Sequence, residues 1–257
     1  MKFLQSLSAQ VSLFTQGAIL ALGVLFILLD AITESFNPVI DLAWVTVLVC
    51  GLPLLINSVQ SIWERLEIHA NFLIVVAMVA LISIGDYHTA AYVGLIVQAG
   101  FFLEQLITGE SHYTVDDDML PTMPAQLVAM RQGINNYSSV IVVAVLLLSM
   151  GSFALTQDFI HTVTLLLVLC PCSLELILVA LMMGSLVDDA SPVSELSKGT
   201  KQSHLGLLIV SIVFHVAIIC VGVLGLIAPV TAVALHGLAR LGLVYNLKVL
   251  NGSLCVA

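Results

Sequence analysis

Eight apolar runs, each near the ~20 residues that cross a bilayer as a helix, follow one another along this chain. They span about 11–33, 38–58, 70–86, 88–107, 137–155, 159–184, 204–226 and 228–250, the third being short. In lipid every backbone N–H and C=O must be satisfied internally, so such runs become helices. Composition agrees. The chain is 60% hydrophobic and 9% charged, where a soluble domain carries about 25% charge, and its mean hydropathy is +1.13. The expected architecture is an all-α membrane protein, residues 1–257 forming a single transmembrane domain of eight helices packed on one another in lipid. The net charge of −9 argues against a nucleic-acid partner. The five cysteines stand mostly in apolar stretches, which does not read as a secreted disulfide framework. The first run has no clear small-residue cleavage site, so it reads as a span rather than a signal peptide.

The basic residues give the orientation. All seven Lys and Arg residues are Lys2, Arg65, Arg131, Lys198, Lys201, Arg240 and Lys248. With eight spans, each falls on the side of the termini or near a span end facing that side. The opposite loops carry Asp30, Glu34, Asp86 and Asp158 and no base. This positive-inside pattern makes both termini cytoplasmic. Asn37-Pro38 and Ala228-Pro229 mark two of the tight turns on the far side. Two larger connections, 108–136 and 185–203, are read as cytoplasmic loops too short to fold alone.

Inside the sixth run stands Cys170-Pro171-Cys172. Residues two apart on an ideal helix point to different faces. Pro171 removes a backbone bond and frees the Leu167 carbonyl, and the unwinding lets both thiols turn to one side. Thiolates suit Cu(I) and Zn(II). Glu175 lies three residues beyond Cys172, on the same face of a continuing helix, and an intramembrane carboxylate faces a partner or a cavity. The plainer reading is a proline kink between two small buried hydrophobes. His215 and Cys220 in the seventh run and His236 in the eighth are further candidate metal ligands. Interhelical hydrogen bonding for the histidines and packing for the cysteine are the alternatives. Met182 and Met183 read as core. Arg240 is expected to snorkel toward the cytoplasm, and most of His69, His88, His112, His161 and His204, at span edges or in loops, to be solvated.

The run from Cys170 through Ser173-Leu174 to Gly184 resembles the metal-site helix of heavy-metal-transporting P-type ATPases. Gly85-Asp86-Tyr87-His88-Thr89-Ala90-Ala91 continuing to Phe102-Leu103-Glu104 is similar to that family's second core helix. Lys201-Gln202-Ser203-His204-Leu205-Gly206 resembles the lead into its fifth, and Ala228-Pro229-Val230 through His236 to Tyr245-Asn246-Leu247-Lys248 its last, with Lys248 where Arg is usual. The resemblance implies two leading helices before a six-helix core. It also implies catalytic domains where this chain has only 108–136 and 185–203. No Asp-Lys-Thr-Gly or Gly-Asp-Gly motif occurs. Thr108-Gly109-Glu110-Ser111 spells the family's dephosphorylation tetrapeptide with no domain around it, and reads as chance. Glu175 replaces a small residue of the family pattern.

Two functional expectations follow. The first is a motorless, pump-like membrane protein that binds or passively conducts Cu(I) or Zn(II), is not an enzyme and uses no ATP, with a metallochaperone as a possible partner. The second is a structural or assembly subunit of a larger membrane complex, keeping a vestigial site among its partner subunits. A haem held by His215 and His236 is a weaker third. The expected location is a bacterial or archaeal inner membrane, crossed many times.

Overall fold

Acids and glycines set four of the described helix ends of this protein. A computed structural model describes residues 13–33, 42–65, 70–108, 125–170 and 196–254. Regular structure among them is entirely helical: α1 (Leu13–Thr33), α2 (Ala43–Arg65), α3 (Ala70–Ser83), α4 (Tyr87–Thr108), α5 (Ala125–Thr156), α6 (Phe159–Val168), α7 (Leu196–Val223) and α8 (Pro229–Leu254). Cys172, Glu175, Met182 and Met183 lie outside the described residues, as do 109–124 and 171–195.

Asp86 caps α4, accepting the Thr89 N–H at 3.1 Å. Asp158 caps α6, accepting the His161 N–H at 3.1 Å. A side-chain oxygen there satisfies a donor that the first helical turn leaves open. α3 and α7 end in the same way. The Asp86 N–H reaches back to the Leu81 carbonyl and the Leu226 N–H to that of Val221, with Gly85 (φ 84°) and Gly225 (φ 69°) in the left-handed conformation between. This is the glycine-terminated Schellman ending.

Two helices extend beyond the apolar runs. α5 starts at Ala125 and α7 at Leu196, inside segments read from hydropathy as loops. Ala125, Gln126, Leu127, Ala129, Met130 and Arg131 are strong helix formers, so the helix continues where apolar character stops.

α4 and α6 occupy the interior. α4 packs against α1, α2, α3 and α8, and α6 against α3, α5, α7 and α8. Every residue from Val163 to Val168 is buried, as expected of a helix apolar all round. Outward faces are apolar too: Leu155, Leu226, Met150, Val140 and Val210 are all exposed. Among the described residues three helices are long and apolar enough to cross a membrane, through Thr15–Ile32, Ala43–Trp63 and Tyr137–Thr156. Shorter apolar helical stretches are Asn71–Ser83, Phe159–Val168, Ile209–Val223 and Pro229–Tyr245. The protein is therefore all-helical, with several apolar helices consistent with a membrane protein.

Candidate metal site

α6 ends where the cysteine-proline pair begins. Its last helical residue is Val168, Leu169 is the C-cap with its N–H on the Leu165 carbonyl, and Cys170 is non-helical. The cause is local: a residue before proline is pushed out of the helical region by the ring. Cys170 is buried at 5% exposure and lines a cavity of about 50 Å³. A single water needs about 10–15 Å³, so an ion with a water fits.

Four helices build the cavity. α3 contributes Ile74, α4 contributes Val97 and Phe101, α8 contributes His236 and Arg240, and Leu167 and Cys170 come from the end of α6. Apolar walls with a few convergent polar groups are the usual composition of a binding pocket. The donors from described residues are one thiol and one imidazole. A soft ion takes three or four ligands, and no group of three or more His, Cys, Asp or Glu suited to a metal occurs among the described residues. Any remaining ligands would come from Cys172 and Glu175, outside them.

His215 stands behind His236. Both are buried, and their rings meet edge to face at 5.2 Å between centroids. His215 Nδ1 lies 3.0 Å from the Ser211 carbonyl. A carbonyl only accepts, so the neutral ring carries its proton on Nδ1 and keeps the lone pair on Nε2. Metal-ligating histidines are typically held in this way through their other nitrogen. The rings touch each other instead of flanking a slot, an arrangement that does not suit two axial ligands on opposite faces of a haem. Cys220 is not brought to this pair. It lies about 140° further round α7 at 100° per residue and is exposed.

Three polar side chains have partners that the sequence reading did not name. Arg240 Nη2 is 2.9 Å from Glu104 Oε2, and its guanidinium lies over the Phe101 ring at 5.2 Å. A planar fork with a carboxylate and an aromatic face in reach stays with both. His88 is half exposed but stands 3.3 Å from the Asp30 carboxylate. His161 Nε2 meets the Val223 carbonyl at 3.1 Å, closing the end of α7. Each contact joins residues far apart in the chain, so only a helix-packing pattern could have revealed it.

Compared with family models, with characterised proteins and with solved structures, the chain finds no match in any of the three.

Proposed function

We propose that this chain is a multi-pass membrane protein that binds a soft transition metal, Cu(I) or Zn(II), at the break after α6. Cys170, Cys172 and Glu175 are its principal ligands and His236 a further donor. The observation that carries this reading is Cys170, unwound ahead of Pro171 and facing a cavity that His236 also lines. The resemblance to heavy-metal P-type ATPases supports the same site, and so does the hydrogen bond that fixes His215 behind it. Eight membrane-crossing segments with cytoplasmic termini agree with the distribution of bases and with the apolar outer faces. Without an acceptor aspartate or a phosphate-cradling loop, the chain holds or passes the ion without ATP hydrolysis. A metallochaperone is the natural source of the ion.

The test is elemental analysis of protein purified under reducing conditions. Near-stoichiometric Cu or Zn in wild type, lost in Cys170→Ser/Cys172→Ser, is the expected result. Metal-free wild type that takes up neither ion on addition overturns the reading.

One observation favours the alternative of an assembly subunit in a larger complex. Arg240 lines the same cavity while its partner Glu104 does not, and a guanidinium nearer the site than its carboxylate opposes a second cation. Under that reading the chain migrates with fixed partners on native extraction, and the double thiol variant leaves the complex intact.

A further inference from the structure

The cavity beside Cys170 is bounded at one end by an ion pair. Along α8 its lining runs Val233, His236, Gly237, Arg240, Leu241, and along α4 it runs Ile96, Val97, Gly100, Phe101. Glu104 follows Phe101 by one helical turn, so the 2.9 Å contact between Arg240 and Glu104 joins α4 to α8 where the lining of both helices stops. Both helices run in the same sense here, so this is the end nearer Thr108 and Leu254. The side chains of Arg240 and Glu104 are 23% and 20% exposed, a position between interior and surface. Phe101 holds the guanidinium from a second direction.

We propose that the Glu104–Arg240 pair is a latch that closes this end of the cavity and governs access to the Cys170 thiol. Closed, it joins two helices that must separate, or lose one side chain from the gap, before a solute can pass. Arg240 lines the cavity and Glu104 does not, so the positive partner of the pair is the one on the cavity side. Neutral or anionic species are therefore favoured over free cations while the latch is shut, which suits delivery of an ion within a complex over capture of the hydrated ion. The latch concerns access alone and stands whether or not a metal is the occupant.

The test is thiol labelling of full-length, metal-free protein in lipid nanodiscs with a cationic and an anionic methanethiosulfonate, Cys170 being followed by peptide mass spectrometry. Arg240→Gln should raise the ratio of cationic to anionic labelling at least about tenfold, as removal of a charge beside a charged approach path does. Glu104→Gln frees the arginine from α4 without removing it, so labelling by both reagents should rise while the anionic reagent stays preferred. The exchange Glu104→Arg/Arg240→Glu should return slow labelling, which mere loosening of the bundle would not do. Wild type at high salt provides a readout without any variant, since screening weakens a partly exposed pair and should speed labelling. Wild-type rates and charge preference in either folded single variant, with no response of wild type to salt, overturn the latch. Metal content of the same samples is read separately, so a failed metal site and a failed latch are distinguishable.

Discussion

Asp30 and His88 face each other at 3.3 Å between the end of α1 and the start of α4, and the same carboxylate accepts the Leu42 N–H at 2.9 Å, just ahead of α2. One buried acid thus ties together the ends of three helices. Its first oxygen accepts the Leu42 N–H and its second faces His88 Nδ1. The two roles separate by substitution. Asp30→Ala should cost about 1–2 kcal/mol, the upper range for loss of a capping group. Asp30→Asn keeps an acceptor for Leu42 and should cost less. His88→Ala should cost under about 1 kcal/mol, because a half-exposed pair contributes little. Thermal unfolding in detergent ranks the three, and a His88→Ala loss equal to that of Asp30→Ala would put the stabilisation in the His88 contact instead of the cap.

Gln98 on α4 donates from Nε2 to the Cys50 carbonyl of α2 at 2.9 Å, in the buried interior. Pro53 lies within α2, less than one turn beyond that carbonyl. Pro53 has no N–H to give the Val49 carbonyl four residues earlier, so Gln98 meets the carbonyl next to the one that proline frees. Gln98→Leu should destabilise by about 1 kcal/mol, the net value of one such bond. Gln98→Glu should cost more, since an ionised carboxylate offers no donor and is buried against an acceptor. Unfolding midpoints in the order wild type, Leu, Glu check the assignment.

Close helix approach predicts opposite effects for two glycines. A Cβ at Gly23 on α1 would lie 2.8 Å from Cys50 Sγ and 2.9 Å from Leu95 Cδ1. Gly23→Ala should therefore cost about 1–3 kcal/mol through overpacking. Gly151, inside α5, has nothing within 4 Å, and Gly151→Ala should stabilise by about 0.5–1 kcal/mol through helix propensity. Paired unfolding curves in one detergent measure both signs.

Helical class and the approximate helix positions could be read directly from the apolar runs, because hydrophobicity in lipid leaves the backbone one solution. The break at Cys170 was legible too, since proline acts on its immediate neighbours. What stayed hidden depends on which helix faces which. The partners of Arg240, His88 and His161 are Glu104, Asp30 and Val223, each far away in sequence. Cys220 shares a helix with His215, and only the phase of α7 against its neighbours leaves it on the outer face. The acids on the far-side loops entered the charge count, but their work as caps for α4 and α6 is a matter of local geometry that a count does not carry.

Cys170, the thiol at the centre of the proposed metal site, is positioned by a contact that includes neither it nor His236. A Cβ at Gly222 on α7 would lie 2.8, 3.1 and 3.2 Å from Cγ2, Cγ1 and Cβ of Val168, the last helical residue of α6. A β-branched side chain has one strongly preferred rotamer in a helix, so Val168 cannot turn aside and the end of α6 must move. Cys170 is two residues further on. Gly222→Ala should thus lower stability by about 1–3 kcal/mol and also weaken metal binding, although no ligand has changed. Adding Val168→Ala returns the space, and the double variant should recover both properties, a coupling that residues in contact show and distant residues do not. Metal titration and Cys170 labelling on wild type, both single variants and the double variant complete the cycle. A Gly222→Ala protein that is destabilised yet binds metal with wild-type affinity would mean that the break after α6 sets the thiol position without help from α7.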